Sequence, residues 1–281
     1  MTIRLVADSS ANPVQDPTLE IRYAPLKMTV GDREFVDDAS LDMDAFLTAM
    51  ESHRGKTFTA CPSVSDWLDT FRGADAVLGV SITSNLSGSY NAGLVAAEEY
   101  RSENPGTKIF LMDTLSTGPE MVLILEKYRE LAEAGASFEE IVEQAKAYHK
   151  TTHLVFSLES LENLAKNGRV SPIIAKAAGL LGIRVIGRAS REGTLEPLHK
   201  ARGEKKTLRK IFASMEDLGY RGGKARITHT RNMSAAGQLR DILLAAFPGA
   251  DVTIGDNGGL CACYSERGGI MVGFETDGTK E

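Results

Sequence analysis

The stretch AVLGVSITSNLSGSY, residues 76–90, decides the predicted fold. Residues 76–82 are almost continuously apolar, which is typical of a strand buried on both faces of a parallel sheet. Residues 83–89 then carry four hydroxyl side chains, and a helix is predicted from about residue 90 to residue 101. A buried strand, a polar loop and a helix in this order indicate an α/β sheet with polar groups at its carboxyl edge.

The same alternation continues on both sides of this stretch. Towards the N-terminus, residues 3–7 and 25–30 are predicted strands, the first ending in Asp8-Ser9-Ser10, and helices are predicted to begin at Ser40 and Ser63. Serine is a favoured N-cap residue. The next predicted elements are a strand over 108–112 and helices over 117–134 and 137–151. This β-α-β-α pattern predicts a parallel sheet flanked by helices.

The second half of the chain is predicted to be an α/β domain with a mixed sheet. A turn at Glu192-Gly193 separates two apolar runs, which predicts an antiparallel hairpin. We expect the first domain to span residues 1–155 and the second 156–281. The predicted strands are 154–157, 184–187, 194–198, 226–230, 252–254, 261–264 and 270–274, and the predicted helices are 158–166, 171–181, 204–218 and 235–246.

The composition excludes several classes of protein. The 281 residues carry a formal net charge of −6, which argues against general nucleic-acid binding. No apolar run reaches the length of a membrane span or of a secretory signal, so we expect no stable membrane insertion and a cytoplasmic location. Cys261 and Cys263 have no second cysteine pair near them, so we expect neither a metal site nor a cofactor.

Two loops are candidates for binding an anion. The loop of residues 83–89, which contains Ser84 and Ser87, combines hydroxyl donors with the positive end of the following helix, a setting that suits a carboxylate or a phosphate. The loop of residues 59–63, which begins at Thr59, also precedes a predicted helix. Ordinary turn and helix-capping roles explain both loops as well.

Two basic segments are further candidates for binding an anionic ligand or an acidic partner. Gly168 favours a tight left-handed turn that would project Arg169, and an arginine recognises a carboxylate or phosphate with two parallel hydrogen bonds. Residues 200–206 form a basic cluster around Arg202 on an acidic protein. The alternatives are a helix C-cap with a solvated arginine for the first, and a solvated helix start for the second.

No complete enzyme motif is present. The chain lacks a phosphate-binding loop of the nucleotide-binding type, a dinucleotide-binding glycine fingerprint and a nucleophile elbow. Two enzyme alternatives remain open: a hydrolase that uses Ser87 with a distant histidine, and a phosphotransferase that uses Arg169 and Arg202.

Five motifs together resemble the DegV family of bacterial fatty-acid-binding proteins, and the resemblance spans essentially the whole chain. Each motif is modest alone, but their order is specific. The motifs are VADSSANP (6–13), TACPS (59–63), ITSNLSGSYNA (82–92), LAKNGRVS (164–171) and KARGEKK (200–206).

The resemblance implies two α/β domains with a long-chain fatty acid buried between them. Such proteins are non-enzymatic carriers that present the acyl carboxylate to a separate fatty acid kinase, whose acyl phosphate product serves phospholipid synthesis. By motif position, Thr59 and a serine of the Ser84/Ser87 pair would bind the carboxylate, and Arg169 would support them. Arg202 would face the kinase or the transferring phosphate.

The acyl tail requires an apolar tunnel, for which Ile174, Leu180 and Leu181 are candidate walls; ordinary core packing explains the same residues.

The chain departs from the family pattern at the polar end of the expected site. Tyr264 stands where the family motif has a carboxylate-binding histidine, and Ala60 and Cys61 replace a Ser-Gln pair. A phenol donates a hydrogen bond but does not carry the positive charge of an imidazolium. We therefore expect Tyr264 to contact the ligand as a neutral donor.

Overall fold

The computed structural model describes residues 3–12, 20–171 and 183–278. It confirms the predicted α/β class, with strands and helices alternating along both halves of the chain. The strands are β1 (Ile3–Asp8), β2 (Ile21–Ala24), β3 (Lys27–Val30), β4 (Arg33–Val36), β5 (Thr57–Ala60), β6 (Ala76–Ser81), β7 (Lys108–Asp113), β8 (Thr152–Leu158), β9 (Ile183–Ala189), β10 (Leu195–Arg202), β11 (Ala225–His229), β12 (Val252–Asp256) and β13 (Ile270–Glu275).

The helices surround three sheets. They are α1 (Met43–Ser52), α2 (Val64–Phe71), α3 (Ser89–Glu103), α4 (Pro119–Glu133), α5 (Phe138–His149), α6 (Glu162–Lys166), α7 (Glu204–Asp217), α8 (Met233–Ala246) and α9 (Gly259–Ser265). None of these helices is both long enough and apolar enough to cross a membrane.

The first sheet is parallel throughout, in the order β2-β1-β6-β7. Side chains alternate between its two faces, so Leu78 packs towards α4 and α5 while Val77 packs towards α2 and α3. All six residues of β6 are buried, as expected for a strand covered by helices on both faces. The predicted parallel sheet is confirmed.

The second sheet is mixed, in the order β10-β9-β8-β13-β11-β12. Its β11–β12 pair is parallel and its other pairs are antiparallel, including the predicted hairpin of β9 and β10. A third, antiparallel sheet has the order β4-β3-β5. The sequence pattern predicted one strand over residues 25–30, of which Lys27–Val30 form β3, and it did not predict β4, β5 or the small sheet that they form with β3.

Helix α4 lies between the two large sheets. It packs on β1 and β6 of the parallel sheet and on β8, β11 and β13 of the mixed sheet. Residues on every side of its first two turns are therefore buried, including Met121, Leu123 and Leu125. Glu126 on the same helix forms a bidentate ion pair with Arg226 on β11, with N–O distances of 2.8 and 2.9 Å.

Gly273 allows α4 to approach β13 closely. A β-carbon at Gly273 would lie 2.5 Å from the carbonyl oxygen of Pro119 and in conflict with the backbone nitrogen of Glu120. Real β-carbons do not make contacts this short with backbone atoms, which have no side-chain freedom to yield. The absence of a side chain at Gly273 therefore sets the distance between the first turn of α4 and the mixed sheet.

Three local predictions are wrong, and one is the helix expected over 158–166, where Leu158 ends β8 and the helix begins at Glu162. Residues 261–264 form part of helix α9 rather than a strand, because a carboxylate distant in sequence caps that helix, as described below. The helix expected to begin at Ser40 begins instead at Met43, since Asp42 is its N-cap and accepts a hydrogen bond from the Ala45 backbone N–H at 2.9 Å. Ser63 does cap α2, where it forms a capping box with Asp66.

We predict that Gly273→Ala lowers the free energy of unfolding by about 1–3 kcal/mol, the usual cost of overpacking a well-packed contact. The matched control is Gly237→Ala on α8, where an added β-carbon meets nothing within 4 Å. Alanine stabilises a helix interior by up to about 1 kcal/mol relative to glycine. Urea denaturation of both variants checks the opposite signs; equal effects would contradict the close contact at Gly273.

Candidate functional site

A cavity of about 320 Å³ lies between the mixed sheet and the loops of the parallel sheet. Its volume is in the range of small-molecule sites in proteins. One end carries polar groups from Thr59, Ser87, Arg169 and Tyr264. The apolar part of the lining includes Leu154, Phe156, Leu158, Leu164, Leu195 and Met271.

The loop that carries Ser87 is fixed at both ends by Asp8. At its start, the Asp8 carboxylate accepts hydrogen bonds from the Ser81 hydroxyl at 2.7 Å and from the Ile82 backbone N–H at 2.9 Å. At its end, the Ser89 hydroxyl donates to the same carboxylate at 2.7 Å. Asp8 is fully buried, so these bonds replace the water that the carboxylate loses on folding. The loop is therefore held at both ends by hydrogen bonds within the protein.

Thr59 and Tyr264 form the centre of the polar end. Their hydroxyl oxygens are 2.7 Å apart, joining β5 to α9 across 205 positions of sequence. Burial raises the pKa of Tyr264, and the hydrogen bond with Thr59 and the charge of Arg169 only partly oppose this shift. The phenol is therefore neutral at physiological pH and has one O–H to donate.

Arg169 follows a left-handed glycine, as predicted. Gly168 has φ +72°, and the turn directs the Arg169 Nε–H towards the carbonyl oxygen of Leu86 at 3.3 Å. Its Nη1 donates to the carbonyl of Asn167 at 2.5 Å, while the Asn167 amide donates to the carbonyl of Thr57 at 2.8 Å. Arg169 is thus tied both to the loop of Ser87 and, through Asn167, to the strand of Thr59.

The other predicted residues lie in different places. Ser87 lines the cavity, but Ser84 does not belong to the lining among the described residues, and its backbone N–H donates to Asp113 at 3.2 Å. Arg202 is exposed at the far end of β10, about 23 Å along the strand from Leu195. Ile174, Leu180 and Leu181 lie outside the residues that the structure describes.

A nucleophilic serine needs a base within hydrogen-bond reach. The Ser87 hydroxyl oxygen accepts a hydrogen bond from the Ser89 backbone N–H at 3.3 Å. His53, His149, His153, His199 and His229 are all described, and none of them lines the cavity. The described part of the site therefore gives the hydrolase alternative no histidine base.

Helix α9, which presents Tyr264, begins at a distant carboxylate. Its N-cap residue Gly258 has no side chain to offer, and Asp37 instead accepts hydrogen bonds from the backbone N–H groups of Gly259 at 2.6 Å and Leu260 at 3.0 Å. The Ser9 hydroxyl donates to the same carboxylate at 2.9 Å. Burial raises the pKa of Asp37, and these hydrogen bonds oppose the shift.

Asn12 adds a second tie to α9. Its side-chain oxygen accepts from the Gly258 backbone N–H at 2.8 Å, and its amide donates to the Asn257 side chain at 3.2 Å. Asn12 itself has φ +67° and ψ 161°, a strained backbone conformation for a residue with a side chain. Residues that follow β1 thus fix the helix that carries Tyr264.

Sequence reasoning missed most of the apolar lining. Leu154, Phe156 and Leu158 alternate along β8, so all three side chains lie on the face of the strand that borders the cavity. The alternation of these residues was visible in the sequence. The sequence did not show which face of the strand would border a cavity instead of packing against a helix. Asn167, which joins Arg169 to β5, was also missed.

Comparisons with known proteins give one consistent result. Residues 2–277 match the family model described as an uncharacterised protein of the DegV family. A DegV domain-containing protein of Streptococcus pneumoniae is 42% identical over 281 residues, which cover 99% of this chain and all of the relative.

Solved structures of similar sequence share the fold. A DegV family protein from Eubacterium eligens loaded with heptadecanoic acid has a TM-score of 0.95 and 43% identity, covering 98% of this chain and all of that one. The Streptococcus pneumoniae Fatty Acid Kinase (Fak) B3 protein loaded with linoleic acid has a TM-score of 0.96 and 41% identity, covering 99% of this chain and all of that one.

We predict that Asp37→Asn destabilises the fold by about 1–3 kcal/mol, because an amide nitrogen would face backbone N–H donors and leave one of them unpaired in the interior. Urea denaturation at pH 7 measures the loss. Asp42→Asn is the matched control, since asparagine caps an exposed helix as well as aspartate does. Equal stabilities of the two variants would contradict the assigned role of Asp37.

Proposed function

The chain belongs to the DegV family, and from this premise we propose that it is a carrier that binds a long-chain fatty acid in the cavity without catalysing a reaction itself. The observation that carries the proposal is the division of the cavity into a polar end and an apolar lining. A fatty acid has the same division: one carboxylate and a long hydrocarbon tail.

The polar end fits a carboxylate. Thr59, Ser87 and Tyr264 offer neutral hydroxyls, and Arg169 supplies the positive charge. Hydrogen bonds to a charged group contribute about 1.5–3 kcal/mol each. In the proposed complex, Tyr264 donates to the carboxylate and accepts from Thr59, and Arg169 orients the loop of Ser87 and balances the charge.

The apolar lining fits the tail. Leu154, Phe156 and Leu158 form a continuous strip along β8, and Met271 extends it onto β13. Burial of each methylene contributes about 0.8 kcal/mol, so a long chain gains more from the lining than from the polar end. The fatty acids in the Eubacterium eligens and Streptococcus pneumoniae neighbours support this assignment.

We extend the proposal to a partner. The carrier would present the carboxylate to a separate fatty acid kinase, which transfers a phosphoryl group from a nucleoside triphosphate to a carboxylate oxygen and yields an acyl phosphate for phospholipid synthesis in the cytoplasm. The fatty acid kinase named for the Streptococcus pneumoniae neighbour supports this step. We also propose two domains, with the boundary expected between residues 155 and 156 moved to just before β8, because Thr152–Leu158 is a single strand of the mixed sheet.

Lipid analysis tests the carrier function. Mass spectrometry of lipid extracted from the purified protein is expected to find long-chain fatty acid at about one molecule per chain, and delipidated protein is expected to take up added fatty acid. The absence of both would overturn the proposal. Turnover of an ester or phosphate substrate that is lost in Ser87→Ala would favour an enzyme instead.

We predict that Tyr264→Phe weakens fatty acid binding about tenfold or more, because one hydrogen bond to the charged head group is lost. Tyr90→Phe is the matched control, since Tyr90 is half-buried and lies outside the described cavity lining. Displacement of a fluorescent fatty acid measures both affinities. Equal affinities of the wild type and Tyr264→Phe would show that the phenol does not contact the carboxylate.

The pH dependence provides a second readout of the same contact. Because burial raises the pKa of Tyr264 above its ordinary value of about 10, the phenol stays neutral between pH 6 and pH 9. The affinity for the ionised acid is therefore expected to stay constant over that range. A histidine at this position would lose its charge as the pH rises through about 6.5.

We predict that Arg202→Glu abolishes acyl phosphate formation with the cognate kinase and leaves fatty acid affinity unchanged, since Arg202 is exposed and outside the described cavity lining. Phosphate transfer from labelled ATP measures the first effect and ligand displacement the second. The control is Arg54→Glu, an exposed arginine outside the basic cluster. Full kinase activity of Arg202→Glu would remove this residue from the partner surface.

A further inference from the structure

The turn between β9 and β10 is rigid and docks on the first half of the chain. Within the turn, the Ser190 backbone N–H donates to the carbonyl of Thr194 at 2.8 Å, and the two hydroxyl oxygens are 2.9 Å apart. Outside it, the Asn85 amide donates to the backbone carbonyl of Glu192. The turn therefore has its own internal order and one direct tie to the loop that carries Ser87.

Gly193 makes the closest contact of this turn. It is buried, has φ +72°, and an added β-carbon would overlap the Thr83 hydroxyl and lie 3.0 Å from the α-carbon of Leu115. Any side chain at Gly193 would lift the turn from these residues. The turn can therefore pack closely against Thr83 and Leu115 only because residue 193 has no side chain. Strand β10 begins two residues later at Leu195.

Strand pairing places Leu195 at the opposite end of the lining strands from Leu158. Leu158, at the polar end, leads into α6 and the Arg169 turn, and it pairs with Val185 on β9. Leu195 pairs with Ala189, four residues further along β9, which is a distance of about 13 Å. At this end the lining also includes Leu154 on β8 and Thr117 before α4.

We infer that Leu195 is the distal stop for the acyl tail, and that the seating of Gly193 against Thr83 and Leu115 holds it in place. Leu195 then determines how many carbons the cavity accepts. This inference rests on the proposed fatty acid binding and adds the residue that selects chain length.

Leu195 suits this role better than its neighbours in the lining. Leu154 and Phe156 are buried in the sheet core, where truncation would disturb packing on several sides. Leu195 is half-buried at the start of an edge strand and packs only at the margin of the cluster that contains Leu154 and Phe156. A change in the size of the side chain at residue 195 is therefore expected to change mainly the length of the cavity that is available to the acyl tail.

The test compares Leu195→Ala and Leu195→Phe over saturated fatty acids from 12 to about 20 carbons, with affinities measured by displacement of a fluorescent fatty acid. Each further buried methylene contributes about fourfold in affinity. Leu195→Ala is expected to gain about tenfold for a chain two carbons longer than the wild-type optimum, and Leu195→Phe to shift the optimum to shorter chains.

Leu198→Ala is the matched control, because Leu198 lies on the same strand, is half-buried and does not belong to the described lining. Its order of preference among the acids is expected to equal that of the wild type. Gly193→Ala provides an independent check, since lifting the turn is expected to broaden the preference without changing Leu195 itself.

The outcomes separate the inference from the proposed function. Fatty acid binding by the wild type with an unchanged order of preference in both Leu195 variants would overturn the inference and leave the carrier function intact. No fatty acid binding by the wild type would overturn the carrier function. Opposite shifts in the two Leu195 variants, with none in Leu198→Ala, would support the distal stop.

Discussion

The close contact between Gly273 and the first turn of α4 is the constraint on which the rest of the structure depends. It sets the spacing between the helix and the mixed sheet, while the opposite side of the same helix packs on the parallel sheet. Met271 lies two residues before Gly273 on the same face of β13 and borders the cavity. Thr117, two residues before the start of α4 at Pro119, also lines the cavity, so the cavity lies next to the N-terminal end of the helix.

The polar end of the cavity is assembled from distant parts of the chain by buried hydrogen bonds. Asp8 holds the loop of Ser87, Asp37 caps the helix of Tyr264, and Asn167 connects Arg169 to the strand of Thr59. These bonds join protein groups to one another, and side chains held by such bonds lose little conformational entropy when a ligand binds.

The sequence indicated the fold well wherever local signals agreed with the tertiary structure. The apolar run of β6, the capping serine of α2 and the turn at Gly193 each combine a clear pattern with a matching environment, and these elements were predicted correctly. Helix α9 was predicted as a strand because its cap, Asp37, lies 222 positions from Gly259. A short helix with glycine at its N-cap gives no local sign of its beginning.

The polar residues of the site could be predicted from the sequence, whereas its apolar lining could not. Hydroxyl residues before predicted helices and an arginine after a glycine pointed to an anion site as well as to capping roles, and Thr59, Ser87 and Arg169 all line the cavity. The apolar lining could not be recognised in the sequence, since a side chain that borders a cavity has the same sequence pattern as one in the core. The positions of α4, α6 and α9 together decide which residues of β8 are left uncovered.

The ion pair between Glu126 and Arg226 has a consequence for how the molecule moves. It crosses from a helix of the first half to a strand of the second and is almost fully buried. A hinge that swung the two sheets apart would have to break both hydrogen bonds of this pair, because Glu126 lies on α4 and Arg226 on β11. The pair therefore opposes that motion, while Arg226 keeps a second carboxylate partner in Asp251 at 2.7 Å.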